Sequence, residues 1–158
     1  MNKTTTIRPF KNSDRKRLIE IFALNTPAYF NPIEQKDFEE YLDQHGDTYF
    51  VVEQDNTIVG CGGYHFTNNQ TVGRLSWDLF HPESKGKGLG LQLISHCMNK
   101  LRNEPTITRL AVWTSQLAFQ FYGKFGFITK EIRKDYWGPG LDLYKMEIEL
   151  PKEHPSHN

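Results

Sequence analysis

Runs of apolar residues recur along this chain between polar turn segments, which is typical of β-strands. These runs are rich in β-branched and aromatic residues, and turn pairs such as Asp55-Asn56 and Asn68-Asn69 separate some of them. The strand segments cover residues 4–9, 48–54, 57–66, 71–80, 107–113 and 127–150. Because Pro139-Gly140 interrupts the last segment, we interpret it as two strands, so the pattern predicts seven strands.

Four helices are predicted between these strands. The first two begin at the capping sequences of residues 12–14 and 31–34, and the second runs to about Gln44. The third begins at Lys87 with apolar or small residues every three to four positions, and a short fourth helix covers residues 115–123. The order β-α-α-β-β-β-α-β-α-β-β predicts a single, mixed and mostly antiparallel α+β domain over residues 1–150, followed by a polar tail.

Composition and charge exclude several classes of function. The 158 residues include 19 basic and 19 acidic side chains, so no overall charge attracts nucleic acid or an anionic membrane. The N-terminal residues lack the apolar core of a signal peptide, and no apolar run has the length of a membrane span, which predicts a cytoplasmic protein. Cys61 and Cys97 match no metal-binding spacing, so we expect no metal.

A glycine-rich turn separates the fourth predicted strand from the third predicted helix. It consists of Lys85, Gly86, Lys87, Gly88, Leu89 and Gly90. Three glycines are costly in chain entropy unless the backbone turns tightly or another group approaches it closely. The free N–H groups and the dipole of a helix N-terminus suit phosphate oxygens, and the two lysines add positive charge. The glycine turn is therefore a predicted anion site.

Two other phosphate-binding motifs fit the glycine turn poorly. A Walker A loop requires Ser or Thr after its Lys, whereas Gly88 follows Lys87. A dinucleotide fingerprint has the spacing G-x-G-x-x-G after the first strand, whereas here G-x-G-x-G follows about the fourth. A glycine turn that binds no ligand remains an alternative.

Two blocks of the sequence match the motifs of one known family. The pattern Lys85-x-x-Gly88-x-Gly90 is similar to a motif Gln/Arg-x-x-Gly-x-Gly/Ala, and residues 115–127 are similar to Asn-x-x-Ala-x-x-Leu/Phe-Tyr-x-x-x-Gly-Phe. Both motifs belong to the GCN5-related N-acetyltransferases (GNAT), so the chain resembles this family. The predicted order of elements also matches the family fold, and the resemblance covers nearly the whole chain. Lys85 and Ser115 depart from the family pattern, which expects Arg or Gln and Asn there.

The resemblance implies direct transfer of an acetyl group from acetyl-CoA to a primary amine of a small molecule, a peptide or a protein, with no metal. The glycine turn would bind the pyrophosphate, and free backbone groups around residues 78–80 would bind the pantetheine arm. The implied cofactor-binding residues are Leu79, Phe80, Lys85, Gly86, Lys87, Gly88, Leu89, Gly90, Ser115, Ala118 and Tyr122. A non-catalytic acyl-CoA-binding sensor or regulatory module is the alternative function.

The candidate catalytic residues are Tyr122, which the resemblance implies, and Asp78, which the strand pattern suggests. Tyr122 matches the family tyrosine that assists the departing sulfur, although it could instead be a core aromatic residue. On a regular strand Asp78 would be the nearest carboxylate on the appropriate face, which makes it the candidate general base. That face would hold Arg74, Ser76, Asp78 and Phe80, with Trp77 and Leu79 on the other. The resemblance places the family base at positions that correspond to Arg74 and Ser76, neither of which is suited to the role, and Glu83 and His65 remain alternatives.

The resemblance places the acceptor site between the first two helices, the fourth strand and the last loop. The candidate acceptor-binding residues are Tyr29, Phe30, Arg74, Trp77, Tyr136 and Trp137. So many aromatic rings would suit an apolar or cationic amine, with ordinary core packing as the alternative. Family members often form homodimers, but no residue here specifies an interface.

Overall fold

The computed structural model describes residues 4–84 and 86–151. The strands are β1 (Thr5–Pro9), β2 (Tyr49–Gln54), β3 (Thr57–Thr67), β4 (Val72–Phe80), β5 (Arg109–Thr114), β6 (Ile128–Gly138) and β7 (Leu141–Glu149). The α-helices are α1 (Arg15–Leu24), α2 (Gln35–His45), α3 (Leu89–Arg102) and α4 (Phe119–Gly123). The predicted order of strands and helices is confirmed. Lys85 and residues 152–158, which include most of the predicted tail, lie outside the described residues.

All seven strands form one sheet in the order β1-β2-β3-β4-β5-β7-β6. Neighbouring strands are antiparallel except β4 and β5, which are parallel and are connected through α3. Helices α1 and α2 cover one face of the sheet, where Leu18, Phe22 and Phe38 are buried. Helices α3 and α4 cover the other face, where Leu93, Ile94 and Tyr122 are buried. The sheet is therefore the middle layer of the domain.

The predicted cap at Asn31 closes a single 3-10 turn, Pro32–Glu34, which leads directly into α2. The Asn31 side chain accepts a hydrogen bond from the Ile33 N–H at 3.1 Å, and Glu34 Oε2 accepts one from the Asn31 N–H at 2.9 Å. These two bonds satisfy N–H groups that a helix start would otherwise leave unpaired. The short fourth helix begins later than predicted, at Phe119, because residues 115–118 form a turn in which the Ser115 carbonyl accepts from the Ala118 N–H at 3.1 Å.

Candidate active site

A cleft opens where β4 and β5 separate. The two strands pair only from Val72 to Leu75 on β4 and from Arg109 to Val112 on β5, although both continue further. The cavity between their ends has a volume of about 670 Å³. Its lining includes the end of β4, the glycine turn, the start of α3, the end of β5 and α4. The structure thus brings both sequence motifs to one cavity.

The glycine turn has a backbone that only glycine adopts readily. Gly86 has a φ of 80° and Gly88 a φ of 76°, and a Cβ atom added at either position would meet no atom within 4 Å. Open space above a left-handed backbone leaves room for a ligand to approach the peptide groups. At Gly90 an added Cβ would lie 3.2 Å from Phe121 Cζ, so this glycine lets α3 and α4 pack closely.

Most of the implied cofactor-binding residues surround the cleft. Those in its lining are Phe80, Gly86, Gly88, Leu89, Gly90, Ser115, Ala118 and Tyr122. Lys87 is exposed and borders a separate groove with Arg17 and His81. The side chain of Leu79 is buried in the core under α1, so only its backbone could contact a ligand.

A β-bulge in β4 changes which side chains share a face. Cys61 of β3 pairs with Leu79 and Gly63 pairs with Ser76, so Trp77 and Asp78 together oppose the single residue Gly62. Trp77 has a φ of 56°, in the left-handed region. The extra residue shifts the alternation of side chains by one position beyond the bulge.

The prediction that Asp78 and Phe80 share a face with Arg74 and Ser76 is therefore wrong. Ser76 faces the α2 side, where its Oγ lies 3.2 Å from His65 Nδ1. Asp78 faces α3 and α4, where it accepts a hydrogen bond from Tyr122. Trp77 packs on Phe22 and Phe38, so it lies on the same side as Ser76. The bulge is the physical reason for this difference.

Asp78 and Tyr122 form a buried acid–phenol pair. The Tyr122 hydroxyl donates to Asp78 Oδ2, while Asp78 Oδ1 is buried without a hydrogen-bond partner among the described residues. Burial raises the pKa of the Asp78 carboxyl to about 7, and the hydrogen bond from Tyr122 opposes this shift. Burial, and then the Asp78 charge, raise the pKa of Tyr122 well above its usual value. Two groups that can exchange one proton therefore lie in contact beside the cleft.

The other candidates for a general base are less suited to the role. Ser76 lines the cleft, and both its Oγ and the Tyr41 hydroxyl lie 3.2 Å from His65 Nδ1. Burial, followed by the charges of Arg74 and His45, lowers the pKa of His65 to about 4, so this imidazole is a weak base. Glu83 is exposed and borders the separate groove.

Five of the six candidate acceptor-binding residues line the cleft on its α1 and α2 side. They are Tyr29, Phe30, Arg74, Trp77 and Trp137. Tyr136 is 46% exposed and lies outside this lining, where it packs edge-on against Trp113 and Trp137. Trp137 is fixed by a hydrogen bond of 3.0 Å from its Nε1 to the Thr114 carbonyl.

Trp113 and Glu34 are among the residues of this lining that the sequence did not predict. Trp113 lies near the end of β5, where the resemblance pointed to no site residue. Glu34 was recognised only as a helix cap, which it is, but it also faces the cleft. The alternation along β5 could have identified Trp113, because Val112 and Trp113 must lie on opposite faces.

The fold and the site agree with one protein family. The model of the acetyltransferase (GNAT) family matches residues 16–127, so the chain belongs to this family. No curated protein matches the sequence significantly. Among residues 4–84 and 86–151, no helix is both long and apolar enough to span a membrane.

Solved structures with low sequence identity share this fold. The ribosomal-protein-S18-alanine N-acetyltransferase from Escherichia coli is 18% identical with a TM-score of 0.79, over 96% of this chain and 97% of that one. YncA from Salmonella typhimurium, solved with its cofactor acetyl-CoA, is 20% identical with a TM-score of 0.74, over 98% of each chain. The N-acetylglutamate synthase from Neisseria gonorrhoeae is 18% identical with a TM-score of 0.73, over 96% of this chain but only 36% of its own.

Proposed function

We propose that this protein is an acetyl-CoA-dependent N-acetyltransferase that acts on a primary amine. The observation that supports this most is the convergence of the glycine turn and the Asp78–Tyr122 pair on one cleft between the separating strands. The family membership supports the acyl donor, and the structure of YncA was solved with acetyl-CoA. The acceptor amine would bind on the α1 and α2 side of the cleft.

The acyl donor would lie along the opening between β4 and β5. The N–H groups of the glycine turn and the start of α3 would hold the pyrophosphate at Gly86, Gly88 and Leu89. With the pyrophosphate held there, the pantetheine arm would run along the end of β4 and bring the thioester toward α4. Helix α4 contributes the Tyr122 hydroxyl, a group that can donate a proton, to the lining of the cleft.

Asp78 and Tyr122 would move one proton from the amine to the sulfur. The amine nitrogen forms a bond to the acetyl carbon while the bond from that carbon to sulfur breaks, and Tyr122 gives its proton to the sulfur. As the Tyr122 hydroxyl leaves Asp78 Oδ2, this oxygen accepts the proton that the amine loses. Asp78 then returns a proton to the Tyr122 oxygen, and both residues regain their starting state.

The two steps assist each other electrostatically. The negative charge of Asp78 helps to hold the pKa of Tyr122 high, which makes the phenol a poor acid. When Asp78 takes a proton, this charge disappears and Tyr122 becomes more acidic. A carboxyl with a pKa of about 7 can also accept and release a proton near neutral pH. The pair is therefore suited to couple gain and loss of a proton.

Thiol release from acetyl-CoA in the presence of an amine panel tests this proposal. We expect at least one amine to accelerate thiol release, with one acetylated amine formed for each free CoA. If acetyl-CoA binds and no amine is acetylated, the enzyme proposal is wrong and the sensor or regulatory module becomes the better description. Mass spectrometry of the amine products distinguishes transfer from hydrolysis of the thioester.

A further inference from the structure

An unpaired positive charge lies on the acceptor side of the cleft. Arg74 lines the cavity, and its Nε atom is buried without a hydrogen-bond partner among residues 4–84 and 86–151. No ion pair or hydrogen bond of its guanidinium occurs within these described ranges either. A partly buried charge without a partner in the protein is costly, so its retention at a ligand site indicates a ligand that supplies the counter-charge.

The surroundings of Arg74 hold the guanidinium in place without neutralising it. The guanidinium carbon lies 3.9 Å from the centre of the Trp113 ring, in a cation–π contact. Burial lowers the pKa of Arg74, while Tyr41 and Tyr136 oppose that shift. Stacking fixes the plane of the fork, and because Nε is shielded, the terminal nitrogens are the donors left for a ligand.

The two carboxylates that line the cleft are engaged elsewhere. Glu34 Oε2 accepts from the Asn31 N–H, and burial raises the pKa of this carboxyl, which disfavours its charge. Asp78 lies beyond the bulge on the opposite face of the sheet, hydrogen-bonded to Tyr122. Neither acid is therefore placed to balance Arg74.

We infer that the acceptor amine carries a carboxylate and that Arg74 binds it. This inference rests on the proposed N-acetyltransferase function and names the class of its acceptor. A planar guanidinium binds a carboxylate through two parallel N–H···O bonds, and such charge-assisted bonds are strong in a desolvated site. The aromatic rings of Phe30, Trp77 and Trp113 would surround the carbon skeleton between the two ends. A purely cationic amine would instead meet the like charge of Arg74.

The carboxylate and the amine of this acceptor are separated by part of the length of β4. Arg74 pairs with His65 and Asp78 lies opposite Gly62, three residues further along β3, which corresponds to about 10 Å, and the long arginine side chain can shorten this distance. The panel of acceptors must therefore vary the spacing between amine and carboxylate. Amino acids with the amine on the α, β and γ carbon, and short peptides, provide that range.

The experiment compares each carboxylate-bearing amine with its own carboxamide. The amide keeps size and shape but loses the negative charge. With saturating acetyl-CoA, we expect the best acid to exceed its amide roughly 10- to 100-fold in kcat/KM, mainly through KM. In Arg74→Gln this preference disappears because the acid loses affinity while the amide does not. Arg74→Lys retains a charge without the planar fork and should keep part of the preference.

Lys145→Gln is the matched control. Lys145 Nζ lies 4.3 Å from the centre of the same Trp113 ring but outside the lining of the cleft, so the control removes a cation from the ring without touching the ligand site. We expect it to keep the preference of the wild-type protein for acids. Equal loss of preference in Arg74→Gln and Lys145→Gln would assign Arg74 a merely structural role and overturn the inference.

Binding measurements separate this inference from the proposed function. Calorimetric titration of the CoA complex with the same acids and amides requires no turnover. If no amine is acetylated, the proposed function fails, and tighter binding of acids by the wild-type protein than by Arg74→Gln still supports the carboxylate site. If amines are acetylated but neither rate nor binding favours acids, the proposed function stands and the carboxylate site is wrong.

Discussion

The charge of Asp78 depends on its position just beyond the bulge in β4. The bulge directs the carboxyl toward Tyr122 and Leu93, away from the face of the sheet that α1 and α2 cover. Burial then favours the neutral acid, and the hydrogen bond from Tyr122 favours the charged one. Because the first effect is larger, the pKa of the carboxyl is about 7, which bears on stability and on the proposed proton transfer.

Stability should report this titration directly. In the folded protein the pKa of Asp78 is about 7, raised from an ordinary value of 3.8. Between these values the folded state holds a proton that the unfolded state has released, so the contribution of Asp78 to the free energy of unfolding falls as pH rises from about 4 to 7. We expect urea unfolding curves of the wild-type protein and Asp78→Asn to differ by an amount that changes across this range. A difference that stays constant with pH would contradict the raised pKa.

At the scale of single elements, the close contact between β3 and the bulge holds Asp78 in place. A Cβ atom added at Gly62 would lie 2.2 Å from Asp78 Oδ1 and 2.8 Å from Leu93 Cδ2. A side chain at this position must displace the carboxyl, because the sheet leaves no other space. Gly62 lies outside the lining of the cleft, so its effect on activity would act through Asp78.

We expect Gly62→Ala to lower kcat roughly 10- to 100-fold by misplacing Asp78. Its free energy of unfolding should fall by about 1–3 kcal/mol through overpacking. Gly73→Ala is the matched control, since its Cβ would meet Leu101 Cδ2 at 2.5 Å under the same sheet but far from Asp78. It should lose stability and keep its turnover at a temperature where both variants are folded. Equal turnover in the two variants would contradict the positioning of Asp78 by Gly62.

Alanine substitutions in the glycine turn should weaken binding of the acyl donor. Gly86→Ala and Gly88→Ala place a side chain on a left-handed backbone, which costs about 1–2 kcal/mol each. We expect both variants to bind acetyl-CoA more weakly in calorimetric titration, because relief of the strain changes the direction of the N–H groups. Gly123→Ala adds a Cβ in open space without a positive φ and should bind normally. Unchanged binding in all three variants would remove the turn from the donor site.

The elements could be predicted from the sequence to a greater extent than the site. The pattern of apolar positions was sufficient to predict the seven strands and four helices, because a sheet covered on both faces needs apolar residues on its strands and on the covering helices. The bulge at Trp77 and Asp78 cannot be recognised in that pattern, because Trp77 and Leu79 share one apolar face both on a regular strand and on the bulged strand. The face on which Asp78 lies was therefore predicted wrongly. The contact of Arg74 with Trp113 depends on the register between β4 and β5, which the sequence alone does not specify.

At the scale of the whole molecule, the donor should stabilise the fold, because the cleft joins elements from both sides of the opening between β4 and β5. At about 100 times its Kd, a ligand adds about 2.7 kcal/mol of stability, or a shift in Tm of about 5–10 °C for a domain of this size. We expect acetyl-CoA to produce this shift in thermal unfolding. Pantetheine, which lacks the pyrophosphate, should produce a smaller shift at equal concentration, and equal shifts would contradict an anion site at the glycine turn.

The Tyr122→Phe variant shows whether the Asp78–Tyr122 pair transfers a proton during acetyl transfer. This variant keeps the buried ring and removes only the hydroxyl that bonds to Asp78. With the best amine and saturating acetyl-CoA, kcat should fall roughly 100-fold or more while the Kd for acetyl-CoA stays within about threefold. An unchanged kcat in Tyr122→Phe would contradict the account.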